Sequence, residues 1–480
     1  MPDAPREVEQ ADRAGEGRMP ELCRRGSLAR SGTRPTPWSV FHDHHRPEDR
    51  AADRPDQHRP GTDGRPVSPA TTVAPRRAAP AVGPAPIASG AEAIETARRY
   101  ADSIAPGVIE RDRAGQVPAA ELAAFDASGL PGITVPRELG GADVSPVVLA
   151  EVIRTIAAVD PAIAQVPQAH YLFVDVLSVW GSAGQQRRLL GDVLGGARFG
   201  NGLAERGGQH AQDLKTRLHA GPDGRLRLTG RKYYCTGSIT ARWIGVSALD
   251  DAGHLVLAFV ERTEPGVHVD DDWNVMGQRA TVSGTTTFDD VPVDPGLVVP
   301  YERAFAEPQQ LGARSQLVHA AIEVGIAGGA LRDAGEFVTS RARPFFEAVR
   351  GGFAQAAGQD PHTIRHYGQL ATRVRAAEAL LASAAATLEE VTRFPRDAAQ
   401  AARGSIAVAQ AKAFANDVAV EVASDLFALS GASAADERHD LSRHWRNART
   451  HASHDPVHWK YHHVGNYLLN KTVPPNHGQI

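Results

Sequence analysis

Cysteine is scarce: two residues in 480, Cys23 and Cys235, far apart and in no metal-ligand spacing. That scarcity argues against a disulfide framework and a cysteine zinc site, and it suits a reducing, cytoplasmic setting. No apolar run reaches the roughly 18 residues needed to cross a bilayer, so no membrane helix is expected. The formal net charge is only −4, so no overall electrostatic pull toward nucleic acid is expected. The opening MPDAPREVEQADRAGEGR has no apolar core and does not read as a secretory signal. A glycine fingerprint for dinucleotides after a β-strand is also missing, so NADH is not expected to bind well. With 42% hydrophobic and 22% charged residues, what is left is a globular protein with a large core and room for two or three domains.

The first 88 residues differ from the rest, holding 14 of the 33 prolines and few aliphatic residues in periodic order. Such a segment cannot bury enough apolar surface to offset its chain entropy, so residues 1–88 are expected to be a disordered extension. A folded protein starting near Ala91 from a later start codon is the variant of that reading. His42, His44 and His45 lie there, but nothing pre-organises them for a metal, and no metal site is expected. Helical spacing dominates 89–198, short alternating strands between Gly and Asp turns dominate 199–304, and long alanine-rich helices fill 305–480. The expected fold is α+β, mainly α: an N-terminal helical domain, a middle antiparallel β domain and a C-terminal four-helix bundle.

The segment RHWRNARTHASHDPVHWKYH, 443–462, gathers chemistry-bearing side chains. Arg446, Arg449, His451, His454 and Asp455 fall within ten positions and Pro456 follows. Residues three apart share a helical face, which puts Arg446 beside Arg449 and His451 beside His454. Pro456 biases Asp455 away from helical backbone, so the helix is expected to end near His454. A helix carbonyl end favours protonated histidine, and histidine changes charge near neutral pH, so this terminus suits proton chemistry. A solvated, charged helix end is the structural alternative.

Four motifs, in order, carry a resemblance to the acyl-CoA dehydrogenase family from about residue 91 onward. GLPGITVPRELGGADVS (129–145) is similar to its glycine-rich loop in the first helical domain. LTGRKYYCTGS (228–238) is similar to its first long hairpin, and MGQRATVSGTTTFDDVPV (276–293) to its later strand. SGAS (430–433), before a basic helix, sits where the family has a glycine-rich loop near the flavin. Departures redirect the reading. NGLAERGGQHAQD (201–213) replaces the family's threonine-glutamate-proline segment, which altered the side chains expected over the flavin pyrimidine. The family's catalytic glutamate would fall at about Asp455. A base must come within roughly 3 Å of the substrate carbon whose proton it takes, and a shorter side chain before a proline argues against that reach, so a structural Asp455 is expected. RARPFFEAVRGG (341–352) lacks the family's arginine-arginine-glutamine-phenylalanine-glycine order at the adenine grip, which favours FMN over FAD.

The 443–460 segment resembles instead the branch of this family that uses reduced FMN and dioxygen, that of the dibenzothiophene monooxygenases and sulfur-acquisition oxidoreductases. The resemblance implies His451 and His454 near the flavin ring, with His170 completing the pocket. It implies Trp273 against the isoalloxazine, Asn201 and Ser238 as polar contacts, and Ser430 near the flavin. Arg446 and Arg449 either serve the FMN phosphate or reduced ring, or form helix–helix ion pairs. His170 also reads as a satisfied core histidine, and Trp273 as a packed strand-edge residue. The implied activity is a two-component monooxygenase that oxidises a small organosulfur compound for sulfur acquisition through a C4a-hydroperoxyflavin. Its partners would be dioxygen and a separate NAD(P)H-dependent flavin reductase, and it would assemble as a homotetramer. The two imidazoles would hold and return protons, while Trp273, Tyr233 and Tyr234 would exclude water. An FAD-dependent acyl-CoA dehydrogenase and a non-enzymatic binding protein on the same fold are the alternatives. Sulfur itself is not dictated by any residue; this fold also oxidises nitrogen and carbon.

Overall fold

In the computed structural model the described residues are 83–208 and 213–480. The reading of residues 1–88 as disordered, and of His42, His44 and His45, lies almost wholly outside them; of that segment only 83–88 are described, and Ile87 there is buried.

Helix-period patterning and local caps build the N-terminal part. Its helices are α1 Gly90–Ile104, α2 Val108–Ala114, α3 Ala119–Ala127, α4 Pro146–Ala157, α5 Pro161–Gln165 and α6 Gln168–Trp180. Two single turns, α7 Ala183–Gln185 and α8 Gly191–Leu194, lead to the sheet. Ser89 caps α1, and Asp160 caps α5 by accepting from the backbone of Ala162 and Ile163, with Pro161 at the first helical position. The glycine-rich loop closes on itself at Gly141, where an added Cβ would stand 2.0 Å from the Val135 carbonyl oxygen.

The sheet comprises β1 Phe199–Gly202, β2 Arg217–Ala220, β3 Leu226–Lys232, β4 Trp243–Leu249, β5 Leu255–Glu261, β6 Val267–Val269, β7 Thr286–Val293 and β8 Val298–Pro300. Its path runs β6-β7-β3-β2-β4-β5-β8, with β1 beside β4. The purely antiparallel sheet expected from strand spacing needs one correction: β1 and β2 both run parallel to β4. Parallel neighbours require a long crossover, and here the β2–β3 hairpin is that crossover between β1 and β4.

The C-terminal helices are α9 Arg303–Ala306, α10 Leu311–Ser340, α11 Phe346–Arg350, α12 Pro361–Val391, α13 Ala398–Ser430, α14 Ser442–His451 and α15 Val457–Asn470. α10, α12 and α13 are rods of 30, 31 and 33 residues. Buried alanines line α10 (Ala320, Ala321, Ala327, Ala330) and α13 (Ala411, Ala415, Ala419, Ala423), so the two backbones approach closely. α4 packs on α10, and one apolar core therefore joins the N-terminal helices to the bundle. A second core ties α6 to the sheet, with Phe173, Phe199 and Phe259 meeting ring to ring at 5.2–6.2 Å.

α14 stops at His451, three residues before the terminus expected from Pro456. The chain tightens first: Ser453 and His454 donate to the carbonyls three residues back, Thr450 and His451. Three-residue bonds of this kind satisfy the last carbonyls of a helix, and they turn Asp455 and Pro456 back toward α13.

Candidate active site

α10 is apolar and alanine-rich, yet Gln316, His319 and Glu323 recur on it at spacings of three and four, one helical face, all buried. Helix α14 runs antiparallel beside that face. Asp333 of α10 pairs with Arg443 and His444 at its start, and Glu323 pairs with His451 at its end. His451 Nδ1 lies 2.6 Å from Glu323 Oε1. Its other nitrogen, Nε2, lies 3.1 Å from His319 Nδ1 and 3.2 Å from Gln165 Oε1, at the end of α5. The His319 ring then packs at 4.1 Å between centroids, tilted by 41°, on that of His454, an exposed residue. Four elements thus deliver a buried chain of polar groups that ends at one exposed residue, His454.

The charge state of this chain differs from the expectation for a helix terminus. Burial, then the charge of Lys412, pushes His451 from 6.5 down to about 3. That fall corresponds to about 5 kcal/mol against the charged ring, whereas a helix end contributes at most about 2 kcal/mol in its favour. Burial outweighs the dipole, and His451 is neutral at pH 7. His319 is lowered in the same way, by burial and by the neighbouring His454. Close packing and Lys412 act on His454 in the same direction, but His454 is an exposed residue and solvent screens such effects, so His451 carries the argument. Glu323 moves oppositely: burial holds its carboxyl well above the ordinary range.

Behind the imidazoles lies a second cluster. Lys412 of α13 places Nζ 2.5 Å from both Asp455 Oδ1 and Gln316 Oε1. Lys460 of α15 sits 2.9 Å from Asp455 Oδ2 and also donates to the Gln479 carbonyl. Burial alone would raise the Asp455 carboxyl, but the two lysines hold it well below the usual carboxylate range. A carboxylate clamped between two ammonium groups is a weak base and is not free to swing toward a substrate.

The β domain contributes the opposite wall. Ser238 Oγ donates to the Asn201 carbonyl at 3.0 Å, and the Asn201 amide nitrogen donates to the Tyr234 carbonyl at 3.2 Å. The turn after β3 makes this possible, with Tyr234 at a positive φ of 57°. Tyr234 meets Trp273 edge to face at 6.1 Å, and Trp273 Nε1 donates to the Gln278 carbonyl at 2.9 Å. Gln278 in turn docks on α14, its backbone N–H donating to Asn447 Oδ1. Its own side-chain amide is buried and neither nitrogen nor oxygen has a partner. A half-buried indole beside an unpaired amide donor and acceptor fits a planar heterocycle with alternating N–H and carbonyl edges, which is what a flavin offers. The α5 end joins the two walls: Gln165 touches His451, and the next residue, Val166, fills the space that a side chain at Gly237 would need.

Other residues singled out by the sequence stand elsewhere. His170 is wholly buried, with Nδ1 accepting from the Phe199 N–H and Nε2 donating to the Pro131 carbonyl. Both ring nitrogens are used, so its visible role is to fix β1, which carries Asn201. Arg446 is held by Asp112 at 2.6 Å and Asp440 at 2.8 Å, the ion-pair arrangement. Arg449 is exposed. Ser430 ends α13, 18 residues beyond Lys412, or about 27 Å along the axis, so this chain's own fold does not bring it to His451. Sequence reading passed over His319, Glu323, Gln165 and Lys412. The signal was there for three of them: polar residues at helical spacing in SQLVHAAIEVG, and a lone lysine amid alanines in VAQAKAFAN.

Comparison with known proteins agrees with this architecture. Residues 91–197, 202–291 and 317–459 match the families described as acyl-CoA dehydrogenase N-terminal, middle and C-terminal domain. The chain is 34% identical over 395 residues to a dibenzothiophene monooxygenase of Mycolicibacterium goodii, covering 79% of this chain and 94% of the relative. It is 31% identical to a probable FMNH2-dependent monooxygenase, SfnC, of Pseudomonas putida, over 80% of this chain and 96% of that one. Among solved structures it is similar to FMN-bound TdsC from Paenibacillus sp. A11-2, with a TM-score of 0.76 and 31% identity, over 81% of this chain and 100% of the other. The chain belongs to the acyl-CoA dehydrogenase superfamily, in its branch of flavin-dependent monooxygenases.

Proposed function

We propose that this protein transfers one oxygen atom from dioxygen to the sulfur of a small organosulfur compound, using FMN reduced by a separate NAD(P)H-dependent reductase. The observation that carries the proton side of this reading is the neutral His451–His319 pair, leading to exposed His454, beside a carboxylate, Asp455, that two lysines immobilise. Dehydrogenation of a thioester needs a mobile carboxylate base; oxygen transfer needs proton donors in a dry site. The sulfur substrate is supported by the names of the relatives, which include dibenzothiophene monooxygenases.

Bound reduced FMN supplies the electrons that activate dioxygen, one oxygen going to the substrate and the other leaving as water. Gln278, Asn201 and Ser238 are the polar groups proposed to hold the ring, with Trp273 against its face. In this reading His454, the exposed member of the chain, exchanges a proton with bound reactants, and the buried His319 and His451 behind it serve as its proton reserve. Trp273 and Tyr234 cover the β-domain side. Exposed Phe345, Phe346 and Phe353, at 61%, 56% and 70%, support assembly into the homotetramer we propose. No described helix is long and apolar enough to cross a membrane; a cytoplasmic location is part of the proposal.

The test is incubation with a flavin reductase, NADH, FMN and a panel of thioethers, sulfoxides and sulfones under labelled dioxygen. One labelled oxygen atom per product molecule is expected. Bleaching of a tightly bound FAD by an acyl-CoA without oxygen, and no labelled product, would overturn the reading in favour of a dehydrogenase.

A further inference from the structure

Glu323 has no role in the sequence motifs and stands behind His451, on the side away from exposed His454. Its carboxyl group lies wholly inside the molecule, with Oε1 2.6 Å from His451 Nδ1 and Oε2 without any hydrogen-bond partner. Three arrangements are compatible with that distance. In two of them a carboxylate accepts, either from a charged imidazolium or from the Nδ1–H of a neutral ring. In the third, a protonated carboxyl donates to a neutral ring.

The surroundings decide between them. A buried carboxylate with one oxygen unpaired is costly, because that oxygen has lost its water and gained nothing. A protonated carboxyl leaves only a neutral carbonyl oxygen unpaired, a far smaller loss. The charges facing the pair are Lys412 from α13, Arg449 from α14 and Asp455 from the following turn. The Lys412 charge is already taken up by Asp455 and that of Arg449 meets solvent, so neither supplies a hydrogen bond to Glu323.

The geometry points to Glu323 as a positioning residue: its Oε1 proton, donated to Nδ1, locks His451 as the tautomer that carries its proton on Nε2. That proton is then directed at His319 Nδ1, 3.1 Å away, and at Gln165 Oε1, 3.2 Å away. His319 is left with its own proton on Nε2. Every donor in the row therefore points the same way, from Glu323 through His451 to His319, which packs against exposed His454. With the opposite tautomer at His451, Nε2 and Gln165 Oε1 would be two acceptors face to face. This inference rests on the monooxygenase reading for its consequence, though not for the placement of the proton.

Two measurements on the full-length protein test it. The first is infrared spectroscopy of flavin-free protein at pH 7, unlabelled and with isotope-labelled glutamate. A carbonyl band of a protonated carboxylic acid is expected that shifts with the label and is missing from Glu323→Gln. A Glu323→Gln spectrum identical to wild type in that region would overturn the assignment. The second is coupling, the oxygenated product formed per NADH consumed. The amide of Glu323→Gln can donate to Nδ1 as the acid does, so at least half the wild-type coupling is expected to remain. Glu323→Leu removes the donor, and a fall of about tenfold with a matching rise in hydrogen peroxide is expected. Equal loss in Glu323→Gln and Glu323→Leu would overturn the proposal, since only a carboxylate role predicts it. If wild type itself makes no oxygenated product, the functional reading fails while the infrared band still decides the proton.

Discussion

Lys412 and Asp455 form an ion pair with Nζ and Oδ1 2.5 Å apart, both side chains at most 2% exposed. The sequence resemblance puts the base of a dehydrogenase of this superfamily at about Asp455. Removing one partner of such a pair strands the other charge in the core at a cost of about 3–5 kcal/mol. Asp455→Ala, which strands Lys412 and Lys460 together, is therefore expected to lose at least that much in denaturant unfolding. Asp455→Glu is not expected to create a dehydrogenase, because the two lysines still engage the carboxylate. An Asp455→Ala variant as stable as wild type, or flavin reduction by an acyl-CoA in Asp455→Glu, would contradict the structural role.

Acid should destabilise the protein through its neutral histidines. Burial pushes His170 and His451 from 6.5 to about 3, and His319 also lies well below its ordinary value. Between 6.5 and about 3 the unfolded chain binds protons at these sites that the folded chain refuses, so stability is full above 6.5 and falls as pH drops through this window. Each such histidine contributes a slope of up to about 1.4 kcal/mol per pH unit. Glu323, raised by burial, works in the opposite sense below its folded value and offsets one of them. Thermal midpoints are expected to decline steadily from pH 6.5 to 5, and His170→Gln should flatten that decline by about one proton while lowering the midpoint at pH 7.5. A flat profile over the same range would refute the neutral assignment.

What the sequence made legible, and what it hid, follows from how far each signal reaches along the chain. Helical and alternating periodicities are local, so the order of helical, β and helical parts was readable, as were the motifs around Trp273 and His451. Pairings that cross the chain were not: nothing local shows that β1 and β2 lie parallel to β4, or that Ser238 bonds to Asn201. The protonation of His451 was misjudged for the same reason. Its helix end is visible in sequence, but the burial and the Lys412 charge that override the dipole come from α10 and α13. Glu323 and His319 were discoverable, since two polar residues four apart on an alanine-rich helix predict a buried partner. Ser430 shows the reverse, a motif in the right order whose helix carries it about 27 Å from Lys412.

Arg446 supplies the last prediction, because one guanidinium joins all three parts of the chain. It pairs with Asp112 of α2 and with Asp440, and it donates to the Met276 carbonyl of the β domain at 3.1 Å. That last bond holds the 276–283 segment on α14, and Gly277 lets it come that close. An alanine Cβ there would stand 2.0 Å from the Arg446 carbonyl oxygen and 2.7 Å from the Asn447 nitrogen, both backbone atoms that cannot move aside without distorting α14. Gly277→Ala must therefore lift the segment, and with it Gln278 and the indole of Trp273 that hydrogen-bonds to it. Because few core contacts are lost, the thermal midpoint is expected to fall by only a few degrees, while FMN affinity, read by quenching of flavin fluorescence, falls at least tenfold. Arg446→Ala should show the other balance, a stability loss of about 3 kcal/mol or more from two stranded carboxylates. Unchanged FMN affinity in Gly277→Ala would mean that the flavin does not lie against this segment.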